Sequence, residues 1–382
     1  MPSVADALRA FAPAYLKRFG DDVPVGHRKV LNVITRCRTG ELGSVVYECD
    51  SCGRHHWAGR SCGNRHCPSC QFDRTQAWLN KQSARLLPVP YFCVTFTVPA
   101  ELRMALRAHQ AEGYRALFEA AAEALRDVGA KTRALKNCEL GYFGVLHTWG
   151  RNPMVYHPHL HFVVASGGVR LDKNGQPEQW CATSDDFLMH HGTLIRVYRG
   201  KLRDKLSAAG VTDGISRREL SAAWKKKSVV DIKPVGDGRA VLKYLAPYVY
   251  RVAISDKRIV KVDDSHVTFT MTPSGTKHTV TRRVTGEEFV RGFVQHVLPT
   301  GFHKVRYYGW LHPRRKLDLD EIRWLACVTL GLFFLLRFAP RQQPNELPPL
   351  RCVHCGGDLR LVMITFVGGL LLNHRQPFLD SG

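Results

Sequence analysis

Two Cys-x-x-Cys pairs near the start of the 382-residue chain constrain its fold more than any other feature. The pairs are Cys49–Cys52 and Cys67–Cys70, with 14 residues between them. Each pair presents two thiolates from one tight turn, and four thiolates complete the tetrahedral coordination that Zn²⁺ prefers. The spacing therefore predicts a small domain around one structural zinc ion held by these four cysteines.

Other metal-binding side chains lie close to these pairs, so the ligand set is open to alternatives. There are five of them: Cys37, His55, His56, Cys62 and His66. They form part of a second site, replace one of the four predicted zinc ligands, or bind no metal. Arginines also surround the pairs and indicate either a DNA-contacting face or a solvated one; they are Arg54, Arg60, Arg65 and Arg74. Near the end of the chain, Cys352-x-x-Cys355 resembles half a zinc knuckle, with His374 as a further ligand. We interpret it as a remnant of a truncated copy or as a metal-free pair.

Charge and cysteine usage indicate the partner and the compartment. The net charge is +22 with a pI near 9.7, which suits a polyanion such as nucleic acid, although a merely soluble basic protein is the alternative. Clustered cysteines in a chain of this length favour metal binding in a reducing cytoplasm. We therefore expect a cytoplasmic protein that is associated with the nucleoid. No secretory signal is visible, and the apolar stretch 325–338 is shorter than the ~20 residues of a membrane span. We predict a buried helix there and no membrane association.

The periodicity of apolar residues predicts an α+β protein: an antiparallel sheet flanked by helices and preceded by a small zinc-binding domain. Predicted helices cover 1–36, 78–87, 101–135, 182–228, 239–250 and 287–296. Predicted strands cover 91–99, 140–149, 156–165 and 229–233, with further β structure in 258–283. The predicted domains are a helical and zinc-binding domain (1–87), a catalytic domain (88–315) and a tail (316–382) with a helix, a Pro-rich linker and the last cysteine pair.

Three histidines alternate in the stretch Y-H-P-H-L-H-F-V-V, which begins at Tyr156. Because side chains on a strand alternate between faces, His159 and His161 share one face and the apolar residues between and after them face a core. Two imidazoles about 6–7 Å apart can share a divalent cation, whose open positions accept a phosphate oxygen. His157 extends the row behind Pro158. Histidines that bind nothing are the alternative.

Two tyrosines stand four residues apart in R-A-V-L-K-Y-L-A-P-Y-V-Y-R, which begins at Arg239. On a helix, Tyr244 and Tyr248 share a face, and Lys243 and Arg251 are placed to contact phosphates beside them. A phenol becomes a nucleophile when its proton is removed or a cation stabilises the phenolate. Two core aromatics at helical spacing are the alternative.

These motifs occur in an order that resembles a known family. The chain contains C-D-S-C-G-R-H-H, S-C-G-N-R-H-C-P-S-C, L-H-T-W-G-R-N, H-P-H-L-H-F-V-V, Y-L-A-P-Y-V-Y-R and F-V-Q-H-V-L-P-T-G-F-H-K-V-R-Y-Y-G. In this order they resemble the two-tyrosine rolling-circle transposases of bacterial insertion sequences, the IS91 family. That family belongs to the His-hydrophobic-His (HUH) endonucleases. The resemblance runs from about residue 10 to residue 315.

The resemblance implies the fold and the metal sites. The core would be the antiparallel sheet of the HUH endonucleases, and the N-terminal cysteines would form the zinc-binding domain of the family. His159 and His161 would hold a catalytic Mg²⁺ or Mn²⁺. HUH enzymes usually have a third ligand, for which His157 is our first candidate and His147 our second.

The resemblance also implies the reaction. Tyr244 or Tyr248 would attack a phosphodiester in single-stranded DNA at an element end, giving a 5′-phosphotyrosine and a free 3′-OH. The other tyrosine would serve the later strand transfer. Pro247 precedes the second tyrosine, and a proline inside a helix costs ~3 kcal/mol and kinks it, so we expect Tyr244 to be the principal nucleophile.

Two other functions remain compatible with these motifs. A rolling-circle replication initiator shares the metal and tyrosine chemistry. A catalytically inactive zinc-dependent DNA-binding protein would use the histidines and tyrosines as core residues. The chain has no G-x-x-x-x-G-K-[ST] motif, so we predict no ATP site for either enzyme.

Overall fold

The computed structural model describes residues 2–225, 230–237, 242, 253–273, 276, 278–331, 349–366 and 369–372. Over these residues the chain is a mixed α+β protein whose strands all pair antiparallel, as predicted. Within this part of the chain, no helix combines the length and the apolar character needed to cross a membrane.

The helices and strands are numbered in chain order. The helices are α1 (Val4–Phe19), α2 (Val25–Thr35), α3 (Phe72–Ser83), α4 (Arg103–Ala108), α5 (Gln110–Lys131), α6 (His191–Ala208), α7 (Arg217–Lys225), α8 (Gly286–Val294) and α9 (Leu319–Leu330). The strands are β1 (Ser44–Cys49), β2 (His55–Gly59), β3 (Pro90–Thr97), β4 (Cys138–Trp149), β5 (Tyr156–Leu171), β6 (Pro177–Ala182), β7 (Val230–Asp237), β8 (Ile259–Val262), β9 (His266–Met271), β10 (Val280–Thr285), β11 (Val305–Gly309), β12 (Leu359–Phe366) and β13 (Gly369–Leu372).

The largest sheet has the order β11-β4-β5-β3-β7, and β6 pairs with the second half of β5. On one face, Leu160, Phe162 and Val164 of β5 pack in a core with α5 and α6. On the other, Val163 and Ala165 belong to a second core that includes Trp78 of α3. Because both faces are covered, β4 is buried along most of its length, which explains its nearly continuous apolar sequence.

The helices beside the sheet follow from spacing and local chemistry. Helix α6 buries Leu194, Tyr198, Leu202 and Leu206, which are spaced four apart and form one stripe. The single long helix predicted over 101–135 is instead α4 followed by α5, since His109 adopts a non-helical conformation between them.

A third core joins α1, α2 and α8 to the sheet β10-β9-β8. Helix α1 begins with a capping box, in which the Ser3 hydroxyl accepts from the Asp6 N–H and the Asp6 carboxylate accepts from the Ser3 N–H. Cys37 and Cys67 belong to this core, so the cysteine-rich segment is built into the protein rather than attached as a loose module.

The remaining sheet joins distant parts of the chain in the order β13-β12-β1-β2. Strand β12 pairs with β1, so part of the predicted C-terminal tail completes an N-terminal sheet. The apolar stretch predicted as a buried helix is described only as far as Gly331. There, α9 buries Ile322 and Ala326 beside the central sheet, whereas Trp324 and Val328 are exposed, so only one face of the helix is buried.

Candidate functional site

Three histidines meet on one face of the central sheet. His147, His159 and His161 each place a ring nitrogen within 4.8 Å of those of the other two. His147 of β4 lies directly opposite His159 of β5 in the strand register, and His161 follows two residues later on the same face. Val163 and Ala165 follow His161 on the same face of β5 and are buried in the core there.

Neighbouring groups orient these rings. The Nδ1–H of His159 donates to the carbonyl oxygen of His157 at 2.9 Å, which leaves its Nε2 with a lone pair for a ligand. Nδ1 of His161 lies 3.0 Å from the Thr95 hydroxyl of β3. The ring centroid of His147 is 5.2 Å from that of His159 and 4.7 Å from that of His161.

Burial keeps the imidazoles neutral. It lowers the pKa of His159 to about 3 and that of His161 to about 4, so both are unprotonated at neutral pH. Metal binding requires this form of histidine. Buried, neutral and already oriented nitrogen atoms fit a divalent cation, and three protein ligands leave coordination positions for a substrate oxygen.

His157, our first candidate for a third ligand, is outside this group of three. Strand β4 shifts register between His147 and Trp149, next to Pro158, which cannot donate to a ladder. His157 contributes its carbonyl oxygen instead. The second candidate, His147, is the residue that the structure places beside the pair. Pairing 140–149 with 156–165 as a hairpin centred on residue 153 would have indicated it.

The neighbouring edge strand adds charge to the same face. Asp231 of β7 lies opposite Thr95 of β3, which in turn lies opposite His161 of β5. Lys233 follows two residues later and forms an ion pair with Asp231 at 2.7 Å. The Lys233 side chain is 70% exposed, so a cation stands at the rim of the histidine site.

The turn between β4 and β5 is anchored by two residues of the F-V-Q-H-V-L-P-T motif, for which the sequence alone indicated no role. Nε2–H of His296 donates to the Pro153 carbonyl oxygen at 2.9 Å, and its Nδ1 lies 3.1 Å from the Thr148 hydroxyl. The Gln295 amide donates to the Met154 carbonyl oxygen at 2.8 Å. These contacts fix the hairpin whose register brings His147 to His159.

One group of cysteines lies at the end of α2. Cys37, Cys62, Cys67 and Cys70 place their sulfur atoms within 4.8 Å of one another. The Cys37 and Cys70 sulfur atoms are 3.4 Å apart, and those of Cys62 and Cys70 are 3.6 Å apart. Hydrogen bonding with Cys37 lowers the pKa of Cys70 and raises that of Cys67, as expected of closely spaced thiols that share protons. Four such thiols form a closed structural zinc site.

Cys49 and Cys52 do not join Cys67 and Cys70, so the predicted set of four is not the set that the structure brings together. The hairpin β1–β2 carries the first pair to its tip, away from the second pair, which follows β2. Cys49 and Cys52 lie instead beside Cys352 and Cys355, so this last pair is not an isolated half-knuckle. Spacing along the chain could not predict a partner some 300 residues away.

Arg65 lies neither on a DNA-contacting face nor on a solvated one, the two alternatives that the sequence left open, because its guanidinium contacts the protein backbone. Its guanidinium donates to the carbonyl oxygens of Phe302 and Pro299 at 2.6 and 2.9 Å. It therefore holds the zinc-binding segment against the chain that leads into β11. The predicted residues Tyr244, Tyr248, Lys243 and Arg251, together with Pro247, lie outside the residues that the structure describes.

The chain thus combines a cysteine-rich N-terminal segment, a histidine site on an antiparallel sheet and a net charge of +22, which together suit a metal-binding protein that acts on nucleic acid. Residues 141–317 match a family described as "Putative transposase", and residues 7–98 match the "Transposase zinc-binding domain" of IS91 type. The chain belongs to the IS91 family of transposases.

Two relatives extend the match over most of the chain. "Putative transposase y4qJ" of Sinorhizobium fredii (strain NBRC 101917 / NGR234) is 38% identical over 348 residues, covering 86% of this chain and 85% of the relative. "Transposase for insertion sequence element IS801" of Pseudomonas savastanoi pv. phaseolicola is 28% identical over 349 residues, covering 87% and 82%. No solved structure matches the chain.

Proposed function

We propose that this transposase nicks single-stranded DNA at the ends of its element, with Tyr244 as the nucleophile and a divalent cation on His147, His159 and His161. The observation that carries the proposal is the three-histidine group, in which burial lowers the pKa of His159 and His161 and three ligands leave coordination positions for a substrate oxygen. A structural zinc site would instead complete its four ligands from the protein.

The choice of Tyr244 as the nucleophile is supported by the order of the sequence motifs, which resembles that of the two-tyrosine transposases. Leu242, two residues earlier in the sequence, is buried in the core that covers the histidine-bearing face, together with Tyr91, Val163 and Ala165.

The proposed reaction is a transfer of one phosphodiester bond. The Tyr244 phenolate attacks the phosphorus atom, the bond from phosphorus to the 3′ oxygen breaks, and that oxygen takes up a proton to become a 3′-OH. The 5′ side remains on the enzyme as a phosphotyrosine. Tyr248 then serves strand transfer at the target, which completes rolling-circle transposition as in HUH enzymes. A bound divalent cation would polarise the phosphate.

The residues around the site prepare it for this reaction. The His157 carbonyl fixes the tautomer of His159, and Thr95 holds the ring of His161, so little rearrangement is needed when a ligand binds. Lys233 is an exposed cation at the rim, and we propose that it contacts a DNA phosphate, as do Lys243 and Arg251. The net charge of +22 supplies the general attraction for a polyanion.

The ligand set also favours one of the two expected ions. Imidazole nitrogen atoms suit transition metals, whereas Mg²⁺ prefers oxygen ligands. We therefore propose that Mn²⁺ supports the reaction at lower concentration than Mg²⁺ does. An assay of DNA cleavage over a concentration series of each ion measures this, and equal half-saturating concentrations would contradict it.

The central test is formation of a covalent adduct. The protein is incubated with labelled single-stranded oligonucleotides from the element ends and Mn²⁺, and adducts are separated on a denaturing gel. We expect His147→Ala to abolish the adduct and His157→Ala, which keeps its backbone carbonyl, to retain it. The reverse result would restore His157 as the ligand. Absence of any adduct with the wild-type protein would favour a DNA-binding protein without catalysis.

Substitution of the tyrosines tests their division of labour. We expect Tyr244→Phe to remove the adduct and Tyr248→Phe to keep it, because a proline at position 247 disfavours helical geometry between the two tyrosines. Equal dependence on both tyrosines would show that the proline does not separate their roles. Supplying a replication origin in place of element ends distinguishes a replication initiator, which would cleave the origin.

A further inference from the structure

A second group of four cysteines joins opposite ends of the described chain. Cys49 and Cys52 meet Cys352 and Cys355, with all four sulfur atoms within 4.8 Å of one another. The sulfur atoms of Cys49 and Cys355 are 3.4 Å apart, and those of Cys52 and Cys352 are 3.8 Å apart. The second pair lies outside both stretches that match the family, 7–98 and 141–317.

The two cysteine pairs form the same turn. Their sequences are C-D-S-C-G and C-V-H-C-G. The N–H of Gly53 donates to the carbonyl oxygen of Cys49, and that of Gly356 to the carbonyl oxygen of Cys352, both at 2.9 Å. Both glycines have positive φ, at 66° and 76°, which a glycine adopts without strain. Two equal turns thus face each other, as in a four-cysteine zinc site.

Backbone N–H groups in each turn point at the first sulfur atom. Cys352 accepts from the N–H of His354 at 3.4 Å, and Cys49 accepts from the N–H groups of Ser51 and Cys52. Such bonds stabilise the thiolate, which is the form that binds metal.

The surrounding structure holds the two turns together. The N–H of Asp50 donates to the carbonyl oxygen of Asp358 at 3.0 Å, and β1 and β12 continue from there as an antiparallel pair. At Gly357, a Cβ atom would stand 2.4 Å from the Ser51 hydroxyl oxygen and 3.1 Å from the Cys49 sulfur. The approach is therefore close enough to require glycine at this position.

We propose that Cys49, Cys52, Cys352 and Cys355 bind a second structural Zn²⁺, distinct from the ion in the zinc-binding domain. This ion fastens the segment 349–366 to the N-terminal sheet. Four thiolates close the coordination sphere, so the site is structural. Nε2 of His56 lies 3.3 Å from the Cys352 sulfur and is placed to donate to the thiolate.

The test is the zinc content of the purified full-length chain, measured by elemental analysis. We expect two zinc ions per wild-type chain and one in the double variant Cys352→Ser/Cys355→Ser. The matched control is Cys138→Ser/Cys181→Ser, which alters another pair of hydrogen-bonded cysteines outside both groups and should retain two. Two zinc ions in the Cys352→Ser/Cys355→Ser variant would overturn the proposal.

A conservative variant separates ligand loss from misfolding. Cys355→His offers a nitrogen ligand in place of sulfur, so we expect it to keep two zinc ions, with a Co²⁺-substituted absorption spectrum of mixed sulfur and nitrogen ligands. Disulfides between these four cysteines are the contrary outcome. The wild-type chain would then hold one zinc ion, and the four thiols would be alkylated only after a reductant is added. This result would refute the metal site.

Proteolysis tests the fastening itself. Trypsin cleaves after arginine, and Arg351 and Arg360 flank the second turn. We expect a zinc chelator to increase cleavage at both by tenfold or more in the wild-type chain, and the zinc-loaded protein to resist. Cleavage unaffected by chelation would show that the strand pairing holds the segment without metal. Neither measurement uses DNA cleavage, so failure of the proposed nicking activity would leave this result intact.

Discussion

Acid should destabilise this protein through His296, the buried residue that anchors the β4–β5 turn. His296 is 5% exposed, and burial lowers its pKa from 6.5 to about 4. Its neutral form satisfies both hydrogen bonds, donating from Nε2 to Pro153 and accepting at Nδ1 from Thr148. In the unfolded chain the same imidazole binds a proton below pH 6.5. The free energy of unfolding therefore falls as the pH drops from 6.5 towards 4.

The two pKa values set the magnitude. Between pH 7 and pH 4.5, this one histidine reduces the free energy of unfolding by about 2 kcal/mol, because one pKa unit corresponds to about 1.4 kcal/mol. Stability is fully present above pH 6.5, and its loss is complete only below the folded-state pKa. Other buried histidines add to the total loss in the wild-type protein.

A comparison with His296→Gln isolates this contribution. Urea unfolding of both proteins is measured at pH 7 and pH 4.5. Loss of zinc from the cysteine sites at acid pH is common to both proteins and cancels in the difference. We expect the wild-type protein to lose about 2 kcal/mol more than the variant. Equal losses would refute the assignment of a strongly lowered pKa to His296.

Three further substitutions test the core, a close approach and the DNA contact. Phe162→Ala should cost about 3–5 kcal/mol in chemical denaturation, since the ring is fully buried in the core beside α5. Gly141→Ala should destabilise strongly, because a Cβ atom would lie 2.0 Å from the Trp310 ring; Gly26→Ala, with open space around it in α2, should be neutral or stabilising in the same melting assay. Lys233→Ala should weaken DNA binding and reduce its salt dependence by about one phosphate contact, measured by titration at several salt concentrations.

The fold was predictable wherever chemistry is local. Runs of apolar and β-branched residues identified β3, β4 and β5, and the alternation of side chains along a strand placed His159 and His161 on one face. To place His147 beside His159, the register between β4 and β5 must be known. The sequence indicates that register only indirectly, through the hairpin that His296 and Gln295 stabilise. A strand pattern indicates which face a residue occupies, but its neighbour across the sheet depends on that register.

The cysteines show a different limit of sequence reasoning. The sequence grouped Cys67 and Cys70 with Cys49 and Cys52, whereas the structure places them beside Cys37 and Cys62. All of these cysteines lie within a short stretch, and spacing does not distinguish the combinations. The hairpin β1–β2 decides between them, since it carries one pair away from the other.

Because β1 pairs with β12, one edge of β1 has no partner until the ribosome has made β12. About 300 residues separate the two strands, and at about 5–20 residues per second the ribosome needs roughly 15–60 s to make them. During that time one edge of β1 offers unpaired N–H and C=O groups to any passing strand. Glu48 and Asp50 place negative charge at this edge, which discourages pairing with an uncharged or acidic strand. Arg360 of β12 forms ion pairs with both carboxylates, so the strand that finally closes the edge carries the charge that matches it.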